Sequence, residues 1–250
     1  MTAKPSESPS PVLVPKDRII VALDVDKADT AREIVSELVG AVGAFKIGLQ
    51  LFLAAGPTFV EKMAESGTKI FLDLKFHDIP NTVAKASIEA ARMGVWMFNV
   101  HASGGREMMA RTKASVADAC EQANIAAPLI IGVTVLTSSD QATLDEIGVE
   151  RNVEDQVVEL AKLTAESGLD GVVASPHEVL AIRRAVVNPG FLTVTPGIRP
   201  ISATLDDQRR VTTFGQALAN GSDYVVIGRP ITQAKDRSAA VDDILREVGQ

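Results

Sequence analysis

The sequence predicts an α/β protein in which eight parallel strands and the helices that follow them close into a (β/α)8 TIM barrel. Eight short runs of β-branched and aliphatic residues alternate with longer segments of helical periodicity, and such alternation is typical of βα units around a parallel sheet. The repeats occupy about 230 residues, a length that suits a closed barrel. No GxGxxG motif follows the first run, so an open dinucleotide-binding sheet is not indicated.

The chain begins with a segment that is too rich in proline and serine to form a periodic helix or strand. We therefore predict a flexible tail over residues 1–15 and a single barrel domain over residues 16–250. The eight strand-like runs that follow are RIIVALDV, AFKIGLQLF, KIFLDLKF, VWMFNVHA, LIIGVTVL, GVVASP, LTVTPGI and DYVVIGRP, which start at Arg18, Ala44, Lys69, Val95, Leu129, Gly171, Leu192 and Asp223.

The segments between these runs have helical periodicity, and several end at a glycine, the usual C-terminal stop signal. They are TAREIVSELVG, PTFVEKMAESG, NTVAKASIEAARMG, REMMARTKASVADACEQA, VEDQVVELAKLTAESG, HEVLAIRRAV and QALANG. The stretch SSDQATLDEIGVERN after the fifth run is longer than a typical βα loop, so we expect a short additional helix there.

The composition excludes several classes of protein. Of 250 residues, 46% are hydrophobic and 4% aromatic, with a net charge of −7, so we expect an aliphatic core and no nucleic-acid binding. Cys120 is the single cysteine, which precludes an intramolecular disulfide and suits a cytoplasmic setting. No apolar run is long enough to cross a bilayer and no secretory signal is visible, so no membrane association is expected. The three histidines have no metal-ligand spacing, so no metal site is predicted.

Unusual polar residues collect at the C-terminal ends of the predicted strands, where barrel enzymes carry their chemistry. A single such residue would more often cap a helix or extend to solvent. Their recurrence at the same end of so many strands favours a site. They are Asp24, Lys46, Asp73, Lys75, His101, Thr137, the Gly197-Ile198-Arg199 turn and the Gly228-Arg229 turn. For His101, a site contact and an ordinary strand-end position are equally supported.

The densest cluster is FLDLKFHDIPNT. Asp73 and Lys75 are two residues apart, so a regular strand places both on one face and turns Leu72, Leu74 and Phe76 to the other. A buried charge needs a partner of opposite sign, so we expect Asp73 and Lys75 to pair. Lys46 would extend this pair into a chain of charges. Asp78 lies past the strand end, where an N-cap ahead of Pro80 and a site role are equally supported.

The last two strands predict a phosphate site. Glycine lets backbone N–H groups approach an anion, and the Arg199 and Arg229 guanidinium groups can bind phosphate oxygens in pairs. The polar loop over residues 200–210 is long enough to close over a ligand and offers the Gln208 amide. The excess of acidic residues at first disfavours an anionic substrate, but net charge describes the whole surface, whereas the cations here share one mouth of the barrel.

These residues resemble the orotidine 5'-phosphate decarboxylase family in its bacterial form. The decapeptide DLKFHDIPNT at Asp73 is highly specific, and the likeness runs through VALDV, FKIG, NVHASGG, VTVLTS, TPGIRP, DDQRR and YVVIGRPIT, covering about residues 16–235. The resemblance implies cofactor-free decarboxylation of orotidine 5'-monophosphate to uridine 5'-monophosphate, the last step of de novo pyrimidine synthesis.

The resemblance also implies a role for each site residue. Lys75 would donate the proton, Asp73 would lie beside the departing carboxylate, and Lys46 and Asp78 would complete an alternating charge array. Family members are homodimers, so Asp78 and Thr82 would serve the neighbouring subunit's site. The remaining substrate contacts would be Asp24 and Lys46 at the ribose, Thr137 near the pyrimidine, and Arg199, Gln208, Gly228 and Arg229 at the phosphate.

Three alternatives remain open. A related barrel aldolase such as hexulose-phosphate synthase shares the Asp-x-Lys-x-x-Asp pattern but uses magnesium. A Schiff-base aldolase would form its adduct on Lys75 or Lys46. An inactive nucleotide-binding module would bind uridine monophosphate without turnover, although the complete charge array argues against it.

Overall fold

The computed structural model describes residues 14–199 and 212–249. Eight parallel strands form a closed barrel in sequence order, with β8 paired to β1, as predicted. The strands are β1 (Ile19–Ala22), β2 (Ala44–Gly48), β3 (Ile70–Phe76), β4 (Met97–His101), β5 (Leu129–Val133), β6 (Gly171–Val173), β7 (Leu192–Pro196) and β8 (Tyr224–Ile227).

Helices surround the barrel and connect its strands. They are α1 (Ala28–Leu38), α2 (Leu49–Ala55), α3 (Pro57–Glu65), α4 (Pro80–Arg92), α5 (Gly105–Ala123), α6 (Gln141–Glu146), α7 (Val153–Glu166), α8 (Val179–Ala185), α9 (Phe214–Ala219), α10 (Arg229–Thr232) and α11 (Arg237–Arg246). Two short 3₁₀ turns, Pro15–Arg18 and Ala102–Gly104, precede β1 and follow β4. In the part of the chain that the structure describes, no helix has the length and apolarity needed to cross a membrane.

The barrel strands are buried on both faces, which explains why their sequences read as continuous apolar runs. In β1, Ile20 and Ala22 belong to the cluster that fills the barrel interior, whereas Ile19 and Val21 pack in the larger cluster between strands and helices. Alternate side chains along each strand therefore pack in two different cores, one inside the barrel and one between the strands and the helices.

Several helix starts use side-chain caps that the sequence carries. Asp140 accepts a hydrogen bond from the Thr143 N–H at the start of α6, which is the additional helix predicted after the fifth strand. Thr213 and Gln216 form a reciprocal capping box at α9. Such caps satisfy backbone N–H groups that have no partner inside the helix, so they determine the residue at which each helix begins.

The second strand is shorter than its sequence suggested. The apolar run AFKIGLQLF predicted a strand into residue 52, but β2 ends at Gly48 and α2 begins at Leu49. Leu51 is buried while Leu53 is 79% exposed, so the run changes from strand to helix. A short apolar run does not distinguish these states, because periodicity is readable only over longer windows.

The N-terminal end of the barrel is closed by a polar network. Arg183 on α8 forms an ion pair with Asp223, and its guanidinium also donates to the Thr193 hydroxyl and the Gly221 carbonyl. The Asp223 carboxylate in turn accepts the Thr193 N–H at 2.7 Å. This network links the starts of β7 and β8 at the end of the barrel opposite the cavity. Residues at this end of such barrels contribute to stability, whereas catalytic residues lie at the other end. The tail over residues 1–15 stays a prediction, because residues 1–13 lie outside the described part.

Candidate active site

A cavity of about 280 Å³ opens at the C-terminal ends of the strands, at the end where the sequence placed the site. Its charged lining comes from β2, β3 and the residues just after β1, and its apolar lining is shared by β1, β3, β5, β6, β7 and β8. The residues that line it are Ala22, Asp24, Lys46, Phe71, Asp73, Lys75, Val133, Val135, Leu136, Thr137, Val173, Pro196, Gly197, Val226 and Gly228.

Four charged side chains form a continuous chain along one side of this cavity. The Lys46 ammonium lies 3.0 Å from Asp24 Oδ1 and 3.3 Å from Asp73 Oδ2. The other Asp73 oxygen, Oδ1, accepts a hydrogen bond from the Lys75 ammonium at 2.6 Å. Charges therefore alternate in sign across three adjacent strands, as the sequence predicted for Lys46, Asp73 and Lys75, and Asp24 joins them.

Asp73 is the most constrained member of the chain, with only 13% of its side chain exposed. Burial by itself would raise the pKa of its carboxyl group. The Lys46 and Lys75 ammonium groups, with hydrogen bonds from Lys75 and Asn99, oppose burial and leave the pKa of Asp73 below its usual value. The carboxylate is consequently ionised at neutral pH despite its buried position.

The predicted faces of β3 are confirmed, although the strand is not regular. Leu72, Leu74 and Phe76 pack in the outer core, while Asp73 and Lys75 line the cavity. Pairing with β4 shifts register between Leu72 and Phe76, and Lys75 has a left-handed φ of 52°. A β-bulge of this kind re-aims a side chain, so the direction of Lys75 depends on this local distortion.

A glycine keeps space open beside the charges. A Cβ added to Gly48 would lie 3.3 Å from the Lys46 ammonium and 3.6 Å from Asp24 Oδ1. A side chain at this position would press on the Lys46 ammonium, which would have to shift by a few tenths of an ångström, whereas the distance to Asp24 is an ordinary contact.

The two glycine–arginine turns occupy adjacent strand ends, as predicted. Gly197 and Gly228 line the cavity, whereas Arg199 and Arg229 follow them just outside its lining. Within residues 14–199 and 212–249, no side-chain hydrogen bond or ion pair engages either guanidinium group. Gln208 and the rest of the predicted closing loop lie outside the described residues.

Asp78 and Thr82 are exposed and do not line the cavity of their own chain. The N-cap alternative for Asp78 is wrong, because Ile79 occupies the N-cap of α4 and no side chain caps that helix. The Asp78 carboxylate accepts the Ile79 N–H at 2.6 Å. Both lie outside this cavity, and their expected service to a neighbouring subunit's site stays a prediction.

His101 ends β4 outside the cavity lining, and its ring lies 5.4 Å from that of His77 between centroids. Burial, followed by the nearby His77 and Lys75, lowers the pKa of His101, while Asp73 partly offsets this. Of the two interpretations of the sequence, its place outside the cavity lining favours an ordinary strand-end position.

Asn99 is a site residue that sequence reasoning missed. It is fully buried at the centre of β4, and its amide donates to Asp73 Oδ1 at 2.6 Å. A signal existed in the run VWMFNVHA, where an asparagine interrupts an apolar strand and shares parity with His101. A buried amide needs partners, which could have placed it next to the charged strand.

Comparison with known proteins assigns the family. The sequence model of the Orotidine 5'-phosphate decarboxylase / HUMPS family matches residues 17–244. The chain belongs to this family. The resemblance seen in the sequence and the expected carboxy-lyase class are thus confirmed.

Two relatives named orotidine 5'-phosphate decarboxylase illustrate the likeness. The protein from Syntrophotalea carbinolica is 52% identical over 233 residues, covering 93% of this chain and 95% of the relative. The protein from Moorella thermoacetica is 51% identical over 234 residues, covering 93% and 92%. The similarity therefore extends over the whole barrel.

A solved structure of orotidine 5'-phosphate decarboxylase from Lactobacillus acidophilus superposes with a TM-score of 0.80 at 39% identity, covering 93% of this chain and 99% of the other. A structure from Pyrococcus horikoshii OT3, at 23% identity and a TM-score of 0.74, shares the fold. The barrel architecture of this decarboxylase family is thus confirmed in the present chain.

Proposed function

We propose that this protein decarboxylates orotidine 5'-monophosphate to uridine 5'-monophosphate without a cofactor, as the last step of de novo pyrimidine synthesis. The observation that carries the proposal is the Asp73 carboxylate held between the ammonium groups of Lys46 and Lys75 in the cavity. Relatives with about half of their residues identical carry the name of this activity.

Lys75 acts on the charge that develops during the reaction. The bond between the pyrimidine ring and its carboxylate breaks, carbon dioxide leaves, and the electron pair remains on the ring carbon. The Lys75 ammonium stabilises that carbanion and then transfers a proton to it, giving uridine monophosphate. The neutral amine regains its proton from solvent, so the enzyme returns to its starting state.

Asp73 holds the Lys75 ammonium in place, and both oxygens of its own carboxylate have partners in the protein. Its Oδ1 accepts hydrogen bonds from Lys75 and Asn99, and its Oδ2 faces Lys46. Fixed charges of this kind need little reorganisation when the transition state forms. Because both oxygens already face protein cations or donors, this arrangement supports chemistry that needs no metal ion on Asp73.

The remaining residues bind the nucleotide away from the reacting carbon. Asp24 and Lys46 serve the ribose hydroxyls and Thr137 lies near the pyrimidine. The phosphate is held by Gly228, Arg199 and Arg229, together with Gln208. The guanidinium groups suit this task because they have no competing partner in the described ranges 14–199 and 212–249. Binding energy from the phosphate can then be used to assemble the site.

The working form is a homodimer in which Asp78 and Thr82 complete the neighbouring subunit's site. Both residues are exposed in the single chain and lie just beyond β3. Ile79 beside them is 66% exposed, so a second copy that covers Asp78 and Thr82 would also bury this apolar side chain. We place the enzyme in the cytoplasm, where its single, buried Cys120 would stay reduced.

The function is tested by adding orotidine monophosphate to the purified protein and following the ring absorbance and the product. We expect conversion to uridine monophosphate that is unaffected by EDTA. Unchanged absorbance with dimers present would overturn the proposal, and inhibition by EDTA would favour the magnesium-dependent aldolase. Borohydride trapping of a substrate adduct would favour the Schiff-base alternative.

Active-site sharing is tested by mixing two inactive variants, Lys75→Ala and Asp78→Ala, after reversible dissociation. A mixed dimer carries both defects in one site and none in the other, so about one quarter of wild-type activity should return. If each subunit used its own Asp78, the mixture would stay inactive.

A further inference from the structure

Asn99 lies opposite the irregular part of β3. The pair Leu72–Phe98 is followed by the pair Phe76–Val100, so residues 73–75 face Asn99 alone. Bulged residues lose regular ladder partners, and a buried backbone N–H without a partner is costly. A side chain must therefore supply what the strand ladder does not.

The Asn99 side-chain amide supplies the missing hydrogen-bond partners, using both its oxygen and its nitrogen. Its Oδ1 accepts the Lys75 N–H at 2.8 Å, and its Nδ2 donates to Asp73 Oδ1 at 2.6 Å. The amide orientation follows from its partners, since a backbone N–H can only donate and an ionised carboxylate can only accept. One rigid group thus connects the backbone of Lys75 with the carboxylate that holds the Lys75 ammonium.

We propose that Asn99 is a positioning residue for the decarboxylation, which sets the direction of Lys75 and the placement of Asp73 through these two hydrogen bonds. The kinetic part of this inference rests on the proposed function. Asn99 reaches no further than the two charged residues, so it acts through them and not on the substrate.

Asn99 suits this role because its side chain combines a hydrogen-bond donor with an acceptor. Lys75 has a left-handed backbone conformation, which a non-glycine residue keeps only when its surroundings enforce it. The acceptor end of Asn99 holds that conformation, and the donor end favours the ionised form of Asp73. Aspartate at this position would lose the donor, and serine would be too short to reach both partners.

Two variants change the hydrogen bonds of Asn99 in different ways. Asn99→Asp keeps an acceptor for the Lys75 N–H but places a second carboxylate against Asp73, and Asn99→Ser leaves both partners to water. For both we expect kcat to fall about 10- to 100-fold, as for a misplaced reacting group, with the Kd of uridine monophosphate unchanged. The acid limb of the kcat profile should move to higher pH, further in Asn99→Asp because like charges raise a carboxyl pKa.

Thr195→Val is the matched control, since Thr195 is a fully buried polar residue of β7 bonded to Ser222 Oγ at 3.1 Å. It should lower the melting temperature without changing kcat or the acid limb. Asn99 variants that bind uridine monophosphate and behave like this control would overturn the inference.

A measurement without substrate keeps this inference separate from the proposed function. The titration of the Asp73 carboxyl group, followed by carbon NMR in wild type and Asn99→Ser, should move to higher pH in the variant. An unchanged titration would overturn the role of Asn99 even if the wild type were active. A shifted titration in a protein without turnover would instead reject only the proposed reaction.

Discussion

Lys46 on β2 and Asp73 on β3 are joined across adjacent strands by an ion pair, with 3.3 Å between Nζ and Oδ2. Their side chains are only 11% and 13% exposed, so solvent screens the pair weakly. Lys75 approaches the other oxygen of the same carboxylate. The ionisation of Asp73 therefore depends on two lysines that lie on different strands.

The positive charge of Lys46 should influence the pH at which Asp73 is protonated. Lys46→Met removes a cation that lowers the pKa of Asp73, so the raising effect of burial is opposed less. Protonation of Asp73 should then begin at higher pH, and the acid limb of kcat should move upward. Lys46→Arg keeps the charge and should keep the limb near its wild-type position. An acid limb that is equal in Lys46→Met and wild type would contradict this electrostatic role.

Lys75→Ala should abolish turnover. Loss of the proton donor and of the cation that faces the developing charge should reduce kcat by at least about 10³-fold. Binding of uridine monophosphate should persist, because the phosphate contacts remain. Lys162→Ala is the control, as Lys162 lies on α7 in an exposed pair with Glu159. Turnover that survives in Lys75→Ala would show that another group donates the proton.

Arg229→Ala should weaken phosphate binding. Loss of a charge-assisted hydrogen bond costs about 1.5–3 kcal/mol, so kcat/KM should fall about 10- to 150-fold. Orotidine without its phosphate should react equally with the variant and wild type. Arg246→Ala, in an exposed pair with Asp243, should leave both substrates unaffected. An equal defect with orotidine would place Arg229 elsewhere in the mechanism.

His101 should make stability depend on pH. Burial lowers its pKa in the folded state below the ordinary 6.5, so the unfolded chain binds more protons there. The free energy of unfolding should fall as pH decreases below about 6.5 and level off below the folded-state pKa. His101→Gln should flatten this dependence in denaturant titrations at pH 7 and pH 5, whereas exposed His177→Gln should not. If the free energy of unfolding changed equally with pH in wild type and His101→Gln, this role of His101 would be refuted.

Arg183→Met should reduce stability but not activity. Removing one partner of a buried ion pair costs about 3–5 kcal/mol. Arg183 and Asp223 keep 26% and 28% of their side chains exposed, so we expect about 2–3 kcal/mol in urea unfolding. The network lies at the barrel end opposite the cavity, and kcat at low temperature should match wild type. A loss of kcat in the folded variant would indicate coupling between the two ends.

The sequence identified the strands and four charged residues that line the cavity because their signals are local. A polar residue that ends an apolar run is visible in the run itself, as with Asp24, Lys46 and Asp73. Alternation along β3 placed Asp73 and Lys75 on one face. The boundary between β2 and α2 was wrong because both elements are apolar there. The N-cap assigned as one alternative to Asp78 was wrong because capping depends on backbone direction.

The sequence by itself determined the order of strands and helices, the end of the barrel that carries charge, and the family to which the chain belongs. These depend on residue types and spacing along one chain. Only the tertiary structure decided that Lys75 takes a left-handed conformation and that Asn99 connects it to Asp73. Those contacts join residues about two dozen positions apart, and they arise from a register shift between β3 and β4 that no local pattern specifies.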